Sequence, residues 1–315
     1  MWIIKYKYIF LSLSAILILG SLFLIFTKGI KKGIDFTGGT IINVTYNDNF
    51  DLNQPKKMFE LNYLKNFIEQ NNFPIKNISV IDTATSGMKT VRIELNGVLE
   101  ENRRLDFEKA WSVNHDTYYS AKQISENTIG PSIGEELTQK AIWSVILVSI
   151  LIILFITFAF RAVSQPVQSW KYGLITIVTL IHDVVVPTGV YAFLGEKYNY
   201  EIDSLFVIAL LTILGISISD TIVVFDRIRE NLKKKSHAEK FSETVGKSLN
   251  QTFVRSINTS LAVIIVLLAL FYFGPLATRG MSIILITGML VGTYSSIFVA
   301  SPLLVLVEKF GQKKR

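Results

Sequence analysis

Six stretches of apolar residues, each near the length that crosses a membrane, constrain this chain more than any other feature of its sequence. They cover residues 8–26, 140–160, 172–194, 204–225, 256–274 and 281–307. About 20 apolar residues in a helix span the roughly 30 Å of a bilayer's hydrocarbon. Hydrophobic residues make up 50% of the 315, and their segregation into these runs predicts a polytopic α-helical membrane protein with six transmembrane helices.

The first run follows Lys5 and Lys7 and ends at Thr27-Lys28-Gly29. A cleaved signal peptide would have a shorter apolar core followed by a small-residue cleavage site. Residues 1–27 therefore read as an uncleaved first helix with its amino end in the cytoplasm. Residues 28–139 are polar and mixed, and predict one water-exposed domain. Strands are expected over 33–46, 77–83 and 89–95, from their β-branched residues. An amphipathic helix is expected over 55–72, where Met58, Leu61, Leu64, Phe67 and Ile68 share a face, and a second helix over 117–128. That order, with room for a final strand after the second helix, suits a small α+β sandwich of ferredoxin-like type between the first and second crossings.

Basic residues orient the crossings. Arg161 and Lys171 lie in the link 161–171. The segment 226–255 holds Arg227, Arg229, Lys233, Lys234, Lys235, Lys240, Lys247 and Arg255, and the tail 311–315 ends Lys313-Lys314-Arg315. The positive-inside rule puts these three in the cytoplasm. Links 195–203 and 275–280 carry only Lys197 and Arg279 and should lie outside. Both termini are then cytoplasmic, the 28–139 domain is extracytoplasmic, and 140–310 is a five-helix membrane domain. The net charge of +7 is explained by such loops, so no nucleic-acid partner is expected. With no cysteine and only His115, His182 and His237 in three separate regions, thiol chemistry and a histidine metal site are not expected.

Ionisable side chains inside hydrocarbon cost about 2.5–3.5 kcal/mol each on insertion scales and mark functional candidates. Asp220 follows Gly215, Ser217 and Ser219 in the fourth run. It reads either as a carboxylate that gains and loses a proton during transport or as half of a static buried ion pair. Arg255 opens the fifth run at matching depth, as its partner or as a snorkelling interfacial residue. His182 and Asp183 lie mid-way along the third run, with Pro187 four residues beyond Asp183. Proline has no N–H to give the Asp183 carbonyl. The pair reads as a proton relay or as a polar patch that binds a neighbouring helix. Asp226-Arg227-Ile228-Arg229-Glu230 reads as an anchor at the membrane surface. Gly288, Gly292 and Ser296, four apart, form a packing face in the last run. Gly38-Gly39 after Asp35 lacks the Lys-Ser/Thr of a phosphate loop and reads as a tight link into the first strand. No hydrolase triad, nucleotide loop or metal constellation is evident, so an enzyme is not expected.

In order along the chain, these residues resemble the SecD/SecF family. The resemblance is carried by Gly33-Ile34-Asp35-Phe36-Thr37-Gly38-Gly39 and by Gly130-Pro131-Ser132-Ile133-Gly134 with Glu136-Leu137. It continues through His182-Asp183, the stretch Asp220 to Asn231 (DTIVVFDRIREN), and Gln251-Thr252 with Arg255 and Thr259-Ser260. Gly292-Thr293-Tyr294-Ser295-Ser296 with Ser301-Pro302 completes it. Two positions before Asp220 depart from the family's GYSxND pattern: Ile216 and Ser219 stand for its tyrosine and asparagine. Pro187 sits where many relatives have an aliphatic residue.

The resemblance implies a non-enzymatic translocase subunit of the bacterial inner membrane. Such a subunit pairs with SecD, works with the SecYEG channel and YajC, and contacts translocating preproteins and membrane lipid. It implies an RND-like membrane core driven by a proton or sodium gradient, with no other cofactor, and Asp220 and Arg255 as the ion-coupling residues. The rivals are an RND-type exporter half for lipids or small molecules, which generally has far larger exposed domains, and a passive assembly scaffold.

Overall fold

The computed structural model describes residues 2–47, 74–82, 88–98, 123–160, 167–198, 200–234 and 239–312, with residues 70, 102, 104 and 105. Among them, six helical spans are long and apolar enough to cross a membrane. A short helix, Trp2–Lys5, leads into α1 (Lys7–Lys28). Then come α2 (Pro131–Ala159), α3 (Ser169–Tyr198), α4 (Ser204–Lys233) and α5 (Phe241–Phe273). The sixth span is built from α6 (Leu276–Ser295), a π turn at Ser296–Ala300 and α7 (Ser301–Gln312).

Most helices outrun the apolar stretches that predicted them, for local reasons. Pro131 supplies a ready φ for the first helical position and has no N–H to leave unpaired there, so α2 starts at Pro131 rather than near 140. Asp203 caps α4, its carboxylate accepting from the Phe206 N–H at 2.9 Å. α5 begins at Phe241 because Phe241, Val245 and Leu249, spaced four apart, are buried along one face of an otherwise polar segment. α3 runs through Pro187 without a break.

The chain divides into two compact units, Lys32–Ala141 and the remainder. The first contains a four-stranded antiparallel sheet: β1 (Gly39–Asn47), β2 (Ile75–Asp82), β3 (Met88–Leu95) and β4 (Gln123–Ile129), in the order β2-β3-β1-β4. β1 pairs with β3 from Thr40↔Leu95 to Asn47↔Met88, and with β4 from Gly39↔Ile129 to Thr45↔Gln123. Two sequence expectations are corrected here. Residues 123–129 form an edge strand and not the end of a helix, because β1 offers its free edge to their backbone. The strand expected from residue 33 starts at Gly39, since Ile34–Thr37 close a single helical turn in which the Gly38 N–H bonds the Ile34 carbonyl at 2.9 Å. The amphipathic helix expected over 55–72 lies outside the described residues, as does the 117–122 portion of the second.

Gly38 and Gly39 adopt φ of 72° and 141°, conformations that favour glycine. They are also tightly enclosed. A Cβ on Gly38 would lie 2.9 Å from Pro131 Cα, and one on Gly134 would lie 2.9 Å from the Gly38 nitrogen. The double glycine and the Gly130–Gly134 stretch, separate motifs in sequence, are thus two halves of one backbone-to-backbone contact. Asp35 is half-buried in the turn beside it.

In the second unit, α3, α4 and the sixth span form the core, with α1 against α3 and α5 against α4 and α6. Phe160 and Tyr172 stack at 5.4 Å and meet Phe225 edge-on. Tyr191, Phe206, Ile213, Ile284 and Met289 form a second cluster. Small residues let the backbones approach. Gly189 of α3 abuts the Ser21 backbone and side chain of α1, whose hydroxyl bonds the Val186 carbonyl. Gly288 abuts Ile213 and Gly292 abuts Ser217, both on α4. Most of α1, α2 and α5 faces outward as apolar surface.

Replacing Gly189 by Leu should force α1 off α3 and lower the stability of the detergent-solubilised protein by about 1–3 kcal/mol, read as a fall in thermal midpoint. Gly215→Ala is the control: a Cβ there meets nothing within 4 Å, and its midpoint should hold or rise slightly.

Candidate functional site

His182 and Asp183 are fully enclosed in the bundle, both with 0% exposure. Their adjacency on α3 lets His182 Nδ1 meet Asp183 Oδ1 at 2.9 Å. The other carboxylate oxygen, Oδ2, accepts from Ser217 Oγ of α4 and, at 2.8 Å, from Ser295 Oγ of α6. One carboxylate therefore ties three helices together. Behind it, the Tyr294 ring lies face-on to the His182 ring at 6.1 Å. Its hydroxyl donates to the Phe10 carbonyl of α1 at 2.9 Å and accepts from Ser14, which brings in a fourth helix. His182 Nε2 is buried and meets no hydrogen-bond partner among the described residues.

Further hydroxyls extend the contact. Thr221 of α4 meets Ser296 at 3.2 Å, and Ser260 of α5 meets Thr293 of α6. Ser295 is the last α-helical residue before the π turn and Ser296 the first within it. Such turns concentrate at functional positions in helices.

Asp220 sits one turn beyond Ser217 on α4 and is half-buried. It lines a narrow cleft between α4 and α6 with Ile216, Ser217, Gly288, Gly292 and Thr293. Two groups on α5 act on it. The charge of Arg255 reaches it through space, and the buried Ser256 hydroxyl approaches it without a full hydrogen bond. Arg255 is exposed and is not in direct ion-pair contact with Asp220. Ser217 is common to both places, since it bonds Asp183 and walls the Asp220 cleft. Among the described residues no three of His, Asp and Glu converge as a metal cage.

The charged end of α4 forms a separate cluster. Gln251 Oε1 of α5 accepts from Arg227 Nε and from Asn231 Nδ2, each at 2.7 Å. Asn231 Nδ2 also donates to Ser248 Oγ at 2.8 Å. Arg229 pairs with Asp226 at 2.8 Å, and Glu230 pairs with Arg227 and, at 2.7 Å, with Lys234. This end is a clasp between α4 and α5.

Sequence reasoning named His182, Asp183, Asp220 and Arg255 but did not assign Ser217, Ser295, Tyr294, Gln251 and Asn231 their roles. Hydroxyls and amides give no hydropathy signal when they stand among apolar neighbours. The available clue was that Ser217 and Asp220 lie three apart, on one helical face.

These features define a polytopic membrane protein with a polar, ionisable centre in its helix bundle and a small antiparallel sheet inserted after the first crossing. Comparison with known proteins gives the family. Residues 109–310 match the family described as protein export membrane protein SecD/SecF, C-terminal, and residues 23–49 match the SecD/SecF GG motif. The chain belongs to the SecD/SecF family of protein export membrane proteins. It is 36% identical over 307 residues to the protein translocase subunit SecF of Thermobaculum terrenum, covering 97% of this chain and 93% of that one. It is 35% identical to SecF of Sebaldella termitidis, with 98% and 92% covered. The crystal structure of SecDF from Thermus thermophilus, a translocon-associated membrane protein, superposes with a TM-score of 0.78 at 33% identity. That match covers 99% of this chain and 38% of the SecDF chain, so this chain spans well under half of the fused protein.

The clasp makes a specific prediction. Gln251→Leu removes the acceptor shared by Arg227 and Asn231, which should weaken the α4–α5 contact by about 1 kcal/mol. Amide hydrogen exchange in residues 227–234 and 245–252 should rise several-fold, with exchange in α3 unchanged.

Proposed function

We propose that this chain is the SecF-type half of a two-chain export motor in the bacterial plasma membrane, driven by ion flow through its helix bundle. Its near full-length likeness to SecF subunits supports the Sec accessory role. The single fused SecDF chain of Thermus thermophilus supports SecD as the other half, since the present chain matches 38% of that protein. SecYEG, YajC and translocating preproteins follow from that role. Lipid would cover the outward apolar faces of α1, α2 and α5.

The observation that carries the ion-driven reading is Asp220. It is a carboxylate in the fourth span, half-buried in a cleft floored by Gly288 and Gly292, under the charge of Arg255. Proton binding at Asp220 would cancel its attraction to Arg255, and so change which arrangement of α4 and α5 is favoured. One charge crossing 100 mV releases about 2.3 kcal/mol. That suffices to bias packed helices between two arrangements, and no hydrolytic chemistry is required. His182 and Asp183 belong to the same ion path. The coupling ion is a proton, with sodium as the alternative; no other cofactor enters the scheme.

The basic links put both termini in the cytoplasm and the 28–139 domain outside. Residues 1–27 then form the first crossing, 140–310 the remaining five, and 311–315 a cytoplasmic tail. The antiparallel order β2-β3-β1-β4, in which the connections β1 to β2 and β3 to β4 each pass over a neighbouring strand, supports a ferredoxin-like domain. It would be the smaller of two domains that meet the exported chain.

Asp220→Asn keeps the shape of the side chain and removes its charge change. Gradient-dependent export of a secreted precursor into inverted membrane vesicles should fall to the level seen with the gradient collapsed. Unchanged export would overturn the ion-driven reading in favour of a scaffold. Normal secretion with lost resistance to small toxic compounds would point to an exporter half.

A further inference from the structure

We propose that His182 and Asp183 form a second proton-binding site, separate from Asp220, in which His182 Nε2 is the atom that takes the proton. The inference rests on the ion-driven reading and goes beyond it by assigning a site, its entry atom and its connection to Asp220.

In the proposed site Asp183 is the ionised carboxylate, so its oxygens can only accept. Both oxygens of Asp183 are engaged as acceptors, Oδ1 facing His182 Nδ1 at 2.9 Å and Oδ2 receiving Ser217 and Ser295. With Asp183 ionised, Nδ1 carries the hydrogen between histidine and carboxylate. In the neutral ring this leaves Nε2 with a bare lone pair. It is buried, with no donor from the described residues, although buried polar atoms rarely stay unpartnered. A structural histidine in a hydrocarbon-embedded bundle would use both nitrogens or be replaced by an apolar residue. A histidine with one nitrogen anchored to a carboxylate and the other open is arranged to receive a proton.

The step balances simply. The Nε2 lone pair takes a proton from a hydronium ion, leaving water, and nothing is oxidised or reduced. The pair passes from imidazole–carboxylate, net charge −1, to imidazolium–carboxylate, net charge 0. Of the neighbouring elements, α6 sets Tyr294 over the ring, and α4 carries Asp220 one turn beyond Ser217, in the cleft that Ser217 lines. α1 brings the hydroxyl of Ser14, bonded to Tyr294, and that of Ser21, bonded to the Val186 carbonyl. Tyr294 already donates to the Phe10 carbonyl and serves as a face-on lid over the imidazole.

Ser217 connects the two sites. It donates to Asp183 and lines the Asp220 cleft, with Gly292 close enough that a Cβ there would lie 3.1 Å from Ser217 Cβ. A change in charge at the His182–Asp183 pair alters the bond that holds Ser217, and with it the wall of the cleft in which Asp220 works.

The chain has only three histidines, so 15N-histidine labelling of the full-length protein in liposomes gives a readable spectrum. His115→Gln and His237→Gln then leave His182 alone. We expect the Nε2 resonance to move from the bare-nitrogen to the protonated position as the pH is lowered, while Nδ1 stays protonated. Asp183→Asn should hold His182 neutral under the same conditions, and Asp183→Glu should restore the titration and control for folding. A Nε2 resonance in one state at every pH, or a titration unchanged by Asp183→Asn, would overturn the proposal. The two readings fail separately. A silent His182 with export lost in Asp220→Asn removes only the second site, whereas a titrating His182 with export intact in Asp220→Asn removes only the ion-driven reading.

Discussion

A carboxylate wholly enclosed by membrane helices is tolerable only where donors converge on it, and the convergence on Asp183 governs how this bundle is assembled. With one oxygen facing His182 and the other held by Ser217 and Ser295, three helices must meet at one point. They can do so only if their backbones come close, which explains where the small residues fall. Gly292 abuts Ser217, and Gly288 one turn away abuts Ile213. In lipid there is little hydrophobic gain from bringing one helix against another, so close packing and buried hydrogen bonds carry the association.

The sixth span is shaped by the same demand. Ser295 and Ser296 are consecutive, yet one bonds an acceptor on α3 and the other meets a hydroxyl on α4. Neighbouring positions on an α-helix point about 100° apart, so adjacent serines suit two flanking helices. The helix widens into a π turn from Ser296 to Ala300 and resumes at Ser301-Pro302. Pro302 has no N–H to continue the regular ladder, so the α-helical hydrogen-bond pattern is interrupted beside the residues that contact Asp183 and Thr221. A bundle held by a few bonds to a titratable centre, with one irregular helix next to it, has a natural place to yield.

How much of this was legible in the sequence depends on which physical signal each part leaves. The six crossings were legible because hydrocarbon demands long apolar runs. Asp220 and the His182-Asp183 pair were legible because charge in such runs is rare and costly. The 123–129 strand was misread because its backbone pairs with β1, a long-range choice that overrides local propensity. The start of α5 was missed because Phe241, Val245 and Leu249 form a narrow apolar stripe in a polar segment. Ser217 was visible only as a small residue. Its role depends on a partner 34 positions away, and nothing local encodes that distance. The Gly38-Gly39 motif was readable as a tight link and the Gly130–Gly134 stretch as part of the family resemblance, but not as two sides of one contact.

The clasp at the far end of α4 determines what a charge change can accomplish. If α4 and α5 were free to slide, neutralising a carboxylate between them would rearrange side chains and stop there. Gln251 holds Arg227 and Asn231 together, so the two helices share a fixed end. On the ion-driven proposal, a change in the attraction between Asp220 and the Arg255 side of α5 would act as a lever about that end. Individual hydrogen bonds in the polar centre are worth about 1 kcal/mol each, comparable with the roughly 2.3 kcal/mol that one charge gains across 100 mV. The proposed drive would therefore exceed any single contact without exceeding the whole set. That is the condition for switching a bundle between two packings rather than disrupting it.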